Sequence, residues 1–344
     1  MQIKVKNKRI GDNAPVFIIA EIGTNHNGDS KLAAKLIKEA AKARVDAVKF
    51  QIVNPEESYQ RGSLSYKVFK KARLDFSVLR TLKKEAERRG LIFFATPGDV
   101  SSLKELIKLG VPLIKISSGC MTNIVLLRKA AKTRLPIIMS TGMAYMDEVK
   151  NAVLELERNG ARDMVLLHCV SSYPAKYADI NLNSLRTLNN NFKYPVGYSD
   201  HTDDNLASLA AVSMGAAAIE KHFTLSRKLK GPEHYFSLEP AEFRRLAKDI
   251  RNVEKMLGSS EKKPSEKELK ARNTFRRYLV FMRDLGRGSV IRDEDIGVKR
   301  LNKKIGLSPQ KYDDIIGSKT LADVSKDDPV SLRLLNGKKS GGIR

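Results

Sequence analysis

Eight short apolar runs rich in Val and Ile recur along the chain, separated by helix-like amphipathic stretches. They occupy residues 16–23, 46–52, 92–97, 113–118, 136–142, 164–170, 195–200 and 217–224, and segments such as 31–43, 76–89, 124–133, 147–159 and 205–214 lie between them. The runs are continuously apolar and do not alternate, which suits strands buried on both faces of a parallel sheet. Eight strand–helix units in about 240 residues is the count of a (β/α)8 barrel, whereas a doubly wound open sheet usually stops at five or six strands. The fold class expected is therefore α/β, a TIM barrel spanning residues 1–257.

Beyond the barrel the texture changes. Residues 258–275 start Gly-Ser-Ser-Glu-Lys-Lys-Pro, which predicts an exposed linker. Short strand-like pieces at 278–282, 289–291, 297–300 and 329–334 then predict a small β-rich domain over 276–336, and a Gly- and Lys-rich tail, 337–344, is expected to be disordered.

Composition excludes several classes. No apolar run approaches the roughly 20 residues of a membrane span. The N-terminal positive charges have no apolar segment behind them, so no signal peptide is expected. Cys120 and Cys169 sit far apart in apolar contexts and read as reduced core residues of a cytoplasmic protein. The net charge of +24 would suit a nucleic-acid binder, but Lys and Arg are spread over nearly every helical segment, Trp is absent and aromatics reach only 6%. Steering of an anionic substrate fits that diffuse charge better, and no nucleic-acid partner is expected.

Polar residues stand at or just past the end of nearly every run: Glu21, Lys49 and Gln51, Thr96, Lys115 and Ser118, Ser140, Ser171 and Tyr173, Ser199 and His201, Glu220 and His222. In a barrel those ends converge on one face, where active sites of this fold lie. Three of the five histidines fall within residues 201–234. His201 and His222 end the seventh and eighth runs, so they become neighbours across the mouth, and a pair of neutral imidazoles there predicts a shared divalent metal, with nearby carboxylates favouring Mn2+ or Mg2+. Buried lysines are costly without an anion, so Lys49 and Lys115 predict a phosphate contact. Ser118 and Ser140 fit either that contact or helix caps. His26 and His168 read as supporting or core residues, and His234 as a loop residue near the substrate.

The motifs Ala20-Glu21-Ile22-Gly23-Thr24-Asn25-His26-Asn27-Gly28, Val48-Lys49-Phe50-Gln51, Ser140-Thr141-Gly142-Met143, Leu167-His168-Cys169, Ser199-Asp200-His201-Thr202 and Glu220-Lys221-His222-Phe223-Thr224, in that order and spacing, resemble the sialic acid synthases over residues 15–255. The piece after residue 276, with Ile315-Ile316-Gly317-Ser318-Lys319, resembles that family's antifreeze-like (SAF) domain. The resemblance implies condensation of phosphoenolpyruvate with the open-chain aldehyde of an N-acetylated hexosamine, giving a nine-carbon 2-keto acid and phosphate.

By motif position it implies that Lys49, Lys115, Ser118, Ser140 and Ser199 hold the enol phosphate, with Thr96 and Ser171 near its carboxylate or phosphate. Glu21 would orient the sugar or act as general acid or base. Gln51, Tyr173, Glu220 and Glu233 would contact the sugar, and His201 and His222 would hold the metal as a Lewis acid. The resemblance also implies a homodimer whose C-terminal domain caps the partner's barrel and brings Arg300 to the sugar.

This chain departs from the family pattern in three places. Glu233 stands where the family has Asp, Leu301-Asn302-Lys303-Lys304-Ile305-Gly306 replaces a Pro-Gly-x-Gly-Ile segment, and Ser171 replaces the Asn of some members. A legionaminate-type synthase acting on a diacetamido trideoxyhexose is an alternative of the same class. A non-catalytic carbohydrate-binding protein is an alternative of a different class.

Overall fold

The computed structural model describes residues 1–302 and 305–336, apart from the side chain of Asn273. It divides into two units, Met1–Gly258 and Ser259–Arg344.

The first unit starts with an antiparallel hairpin, β1 (Gln2–Val5) and β2 (Lys8–Gly11). Eight parallel strands follow: β3 (Phe17–Gly23), β4 (Ala47–Ile52), β5 (Ile92–Pro97), β6 (Ile114–Ile116), β7 (Ile137–Ser140), β8 (Met164–Cys169), β9 (Val196–Asp200) and β10 (Ala218–His222). They close into a barrel as β10 pairs with β3. Each of the eight predicted runs forms one strand; β5 matches its run and the other seven are trimmed by one or two residues at one or both ends. After each strand a helix returns along the outside; the first of them, Ser30–Lys42, starts where the Asp29 carboxylate accepts the Lys31 and Leu32 N–H groups at 2.7 and 3.2 Å. The connection from β4 is longer and carries two further helices, Pro55–Ser58 and Leu64–Ala72, before Phe76–Arg88.

Strand parity sorts the side chains into two shells. Ile18, Val48, Phe93, Ile116, Met139, Leu166, Val196 and Ile219 point outward and pack under the helices. Phe17, Ile19, Ala47, Ile92, Phe94, Leu113, Ile138, Val165, Leu167 and Ala218 fill the barrel interior, and Ile3, Val5 and Ile10 of the hairpin join that inner cluster. The hairpin therefore plugs the N-terminal end of the barrel, each buried aliphatic contributing roughly 1.5–3 kcal/mol. Asp46 pins it: its carboxylate accepts from Lys8 Nζ at 2.7 Å, Arg251 Nη2 at 3.1 Å and the Ile18 N–H at 2.9 Å.

Within the stretch expected to be a linker, residues Glu266–Phe275 form a helix with a Ser265–Glu268 capping box. The second unit pairs β11 (Tyr278–Phe281) with β12 (Ile296–Lys299), and β13 (Lys319–Thr320) with β14 (Leu335–Asn336). Its core is Leu279, Phe281, Ile291, Ile296, Ile315, Val324, Val330 and Leu335. The predicted strands at 289–291 and 329–334 contribute only isolated bridges, Val290 to Lys319 and Val280 to Pro329. The expected disordered tail, 337–344, lies outside the described residues.

Candidate active site

One step above the apolar filling, the inward positions turn polar on seven of the strands. Glu21, Lys49, Thr96, Lys115, Ser140, Ser199 and Glu220 are all nearly inaccessible to solvent. Glu220 organises them. Its carboxylate lies 3.0 and 3.2 Å from Lys115 Nζ and 3.4 Å from Lys49 Nζ, and it accepts the Ser199 hydroxyl at 2.9 Å. Lys49 also meets Glu21 Oε2 at 3.1 Å and donates to Thr96 Oγ1 at 3.2 Å, while Lys115 donates to Ser140 Oγ. The two ammonium groups are thus compensated within the chain itself, a structural reason for the buried lysines that the sequence reading lacked. Glu220, expected as a sugar contact, holds both of them.

The protonation states follow from this packing. Burial opposes the Glu220 charge, but the two lysines outweigh it and hold the carboxyl at about 2. Glu21 is raised to about 7, by burial first and then by Glu220 and Glu233, with Lys49 opposing. Burial pushes Lys49 down, yet Glu21 and Glu220 raise it overall; Lys115, buried with Lys49 nearby, ends up lowered. Near neutral pH Glu21 therefore exchanges a proton readily, and Gln51 Nε2 donates to its Oε1 at 3.0 Å.

The histidines stand at the rim, their rings 5.5 Å apart. Burial lowers His201 to about 4 and His222 well below its usual value, so both imidazoles are neutral. His201 Nδ1–H donates to the Val170 carbonyl at 2.6 Å, so Nε2 carries the lone pair, with Ser199 Oγ 3.5 Å away. His222 Nδ1 is buried with no hydrogen bond, and Glu21 Oε2 has no partner besides its 3.1 Å ion pair with Lys49 Nζ. Free, neutral ring nitrogens beside a buried carboxylate form a donor set that fits a divalent ion, although among the described residues no three His, Cys, Asp or Glu cluster as a complete protein-only site. The Tyr173 ring lies tilted over His201 with centroids 4.2 Å apart, and the Phe236 ring packs 4.9 Å from His222.

Outward-facing neighbours fix these loops. Lys221 Nζ lies 2.8 Å from Asp200 Oδ2 and donates to the Thr202 carbonyl at 2.9 Å, while Asp200 Oδ1 accepts the Thr202 N–H at 2.9 Å.

Glu233 reaches the mouth from the loop after β10. Its Oε2 accepts the Thr24 N–H and hydroxyl, each at 3.0 Å, and lies 4.0 Å from His222 Nδ1. Gly23, with φ +53°, makes the approach possible, since a Cβ there would sit 2.4 Å from Glu233 Oε2. Ser118 and Ser171 gather separately around Cys169, at 3.4 and 4.0 Å from its sulfur. Gly142 donates its N–H to Ser118 Oγ at 3.0 Å, and a Cβ on it would meet Ser171 Oγ, Ser118 Oγ and Cys169 Sγ at 2.6–2.9 Å.

The remaining histidines are hydrogen-bonded within the fold. His168 Nε2–H donates to the Ile180 carbonyl at 2.7 Å, and His26 Nδ1 accepts the Gly28 N–H at 3.1 Å. Both His234 nitrogens are engaged, by Thr224 Oγ1 at 2.6 Å and Asn27 Nδ2 at 3.2 Å, leaving none for a metal. Arg300 lies in the second unit, exposed, its guanidinium 5.2 Å over the Phe275 ring.

Thr24, Phe236, Gly23 and Gly142 escaped the sequence reading as site residues. Thr24 lies in a loop and Phe236 ends a short 3-10 helix, His234–Phe236, and the glycines matter through the side chains they admit.

The NeuB family model matches residues 36–262, and the SAF domain model matches 276–335. The chain belongs to the NeuB family. An uncharacterized protein of Methanocaldococcus jannaschii is 43% identical over 327 residues, covering 95% of this chain and 96% of the relative. The N,N'-diacetyllegionaminic acid synthase of Legionella pneumophila is 41% identical, covering 92% and 93%. Among solved structures, the N-acetylneuraminic acid (sialic acid) synthetase of Leptospira borgpetersenii, in complex with citrate, superposes with a TM-score of 0.75 at 39% identity, covering 80% of this chain and 97% of that one. As a NeuB-family chain the protein is an enzyme of the acid-synthase type, which removes the non-catalytic reading.

Proposed function

We propose that this NeuB-family chain condenses phosphoenolpyruvate with the open-chain aldehyde of an N-acetylmannosamine-type sugar, giving a nine-carbon 2-keto acid and phosphate. The observation that carries the proposal is the Lys49–Glu220–Lys115 bridge set beside two neutral imidazoles. The bridge keeps two ammonium groups charged, or ready to charge, in a site almost closed to water. An enol phosphate brings its own anionic groups to them, and the hydroxyls of Thr96, Ser118, Ser140, Ser171 and Ser199 add donors around it.

His201 and His222 are the residues that would hold Mn2+, with Mg2+ as the alternative, and a divalent ion there supplies Lewis acidity toward the aldehyde oxygen. The C3–C1 bond forms as the enol π electrons attack the aldehyde carbon, leaving a cationic C2 that water attacks. Glu21, with a pKa about 7, is matched to giving a proton to the new alkoxide and taking one from the water. Phosphate leaves when the tetrahedral intermediate collapses. Gln51, Tyr173 and Glu233 line the sugar side, with Glu220 holding the lysines.

The partner arrangement belongs to the same proposal: a cytoplasmic homodimer in which Arg300 of one copy reaches the sugar bound by the other. Leu64, Val125, Met143, Tyr145, Tyr173 and Tyr235 are large apolar side chains exposed in the first unit, and such a partner would cover surface of this kind. No described helix is long and apolar enough to cross a membrane.

Incubation with phosphoenolpyruvate, Mn2+ and N-acetylmannosamine should release phosphate. A second reading, a diacetamido trideoxyhexose as substrate, is favoured by the 41% identical relative named as a legionaminic acid synthase. Release with that sugar alone would select it, and release with neither would overturn the proposed reaction.

A further inference from the structure

Two charged residues occupy outward positions that the barrel otherwise fills with apolar side chains. Asp200 ends β9 and Lys221 is its register partner on β10, one step beyond the outward-facing Tyr198 and Ile219. Each is 1% exposed. Taking two charges out of water is costly, and replacing such a pair with well-packed uncharged side chains is often neutral or stabilising. Fold stability alone is therefore a weak reason for the pair, and none of the steps above uses it.

The pair is fully satisfied. Lys221 Nζ has three acceptors for its three protons: Asp200 Oδ2 at 2.8 Å, the Thr202 carbonyl at 2.9 Å and Thr202 Oγ1 at 3.1 Å. Asp200 Oδ1 accepts the Thr202 N–H at 2.9 Å and its hydroxyl at 2.8 Å. Its Oδ2 also accepts the Ser208 hydroxyl, at 2.6 Å, from the helix Leu206–Ser213. Thr202 and Ser208 are as buried as the pair itself.

The residues held in this way bracket the two rim histidines. Asp200 and Thr202 stand on either side of His201, and Lys221 immediately precedes His222, so one network grips the chain at both. His201 has a second restraint, its Nδ1–H on the Val170 carbonyl. His222 has none of that kind: its Nδ1 is buried without a hydrogen bond, with Glu233 Oε2 4.0 Å away. Its ring is set by the backbone at Lys221 and by packing against Phe236. Among the described residues no third His, Cys, Asp or Glu completes the set, so affinity depends on how firmly two imidazoles are held in one relation. We propose that Asp200 and Lys221 are positioning residues for the divalent ion. Their buried bridge fixes the spacing and tilt of His201 and His222, and so sets metal affinity, while neither touches the ion or the reactants. The proposal rests on the reading that these two histidines hold the ion.

Mn2+ titration of the full chain, followed by electron paramagnetic resonance of the free ion, tests this without turnover. Combining Asp200→Asn with Lys221→Met removes both charges together and strands neither. The melting temperature of this metal-free double variant should stay close to that of the wild type. Its Mn2+ dissociation constant should nevertheless rise about 10–100-fold, the usual effect of losing residues that orient a ligand. An unchanged dissociation constant, or a loss of affinity that merely tracks a loss of folded protein, would overturn the proposal. Should the double variant not fold, Thr202→Val removes only the hydroxyl between the two charges. Its Mn2+ affinity should fall about fivefold, the order of one hydrogen bond, and an unmoved value would again overturn the proposal. Wild-type Mn2+ uptake that His201→Ala leaves intact would instead overturn the histidine site itself, and the positioning role with it.

Discussion

Lys115 and Glu220 face each other across the barrel, from the sixth and tenth strands, with the ammonium 3.0 and 3.2 Å from the two carboxylate oxygens. Both are almost fully buried, so neither can lose its partner to water.

Glu220→Gln should therefore leave two buried ammonium groups short of an anion. Removing one partner of a buried pair costs about 3–5 kcal/mol. We expect a clear fall in thermal stability of the free chain and partial recovery with saturating phosphoenolpyruvate, whose charge replaces the missing one. Thermal melts with and without that ligand check this; a variant as stable as the wild type would contradict the bridge.

Glu21 gives stability a distinctive pH dependence. Its folded value of about 7 exceeds the ordinary 4.5, so between those limits the folded chain binds more protons than the unfolded one. Stability contributed by this group falls as pH rises from 4.5 to 7, by about 3 kcal/mol in total. Glu220 acts oppositely: held at about 2 against an ordinary 4.5, it adds stability that is lost as pH falls through that interval. Urea denaturation across pH 4–8 should show the first slope in the wild type and its disappearance in Glu21→Gln.

The same group should shape catalysis. With Glu21 exchanging protons in the reaction, kcat/KM should show a limb near pH 7. Glu21→Gln should lower kcat by at least about 100-fold, consistent with the usual contribution of a general acid or base, and remove that limb. A residual profile of unchanged shape would assign the limb elsewhere.

His201→Ala and His222→Ala should each weaken Mn2+ retention by more than the roughly 10–100-fold typical of losing a supporting residue. Electron paramagnetic resonance of free Mn2+ during titration reads this without any turnover. His234→Ala, whose ring nitrogens are both engaged elsewhere, should leave Mn2+ affinity within about twofold.

Gly142→Ala tests the hydroxyl cluster. The added methyl would collide with Ser118, Cys169 and Ser171 within 2.9 Å, and overpacking of this kind costs about 1–3 kcal/mol. The KM for phosphoenolpyruvate should rise by about tenfold, with a smaller change for the sugar. Equal changes in both would place the cluster outside the phosphate subsite.

The barrel was legible because its strands are buried on both faces and so read as unbroken apolar runs. The polar step at the strand ends was legible for the same reason, since Lys49 or Glu220 interrupts an otherwise greasy segment. The hairpin Gln2–Gly11 was not, because its few apolar positions alternate with Lys and Arg and form no continuous apolar run. Nor was the role of Glu220, whose partner Lys115 lies 105 residues away and is found only once the barrel closes. Glu233 was recognised as a departure, but the contact that seats it, with Thr24 beside a left-handed Gly23, depends on backbone shape in two separate loops.

The hairpin that stoppers the lower end of the barrel also sets the order of traffic. With Ile3, Val5 and Ile10 packed into that end, reactants reach the buried Lys49 and Lys115 from the opposite mouth, at the strand ends. Whatever they hold must go in before the second reactant closes the way behind it, and must come out after the product ahead has left. A steady-state pattern with phosphoenolpyruvate as the obligatory first substrate follows from that one-ended architecture.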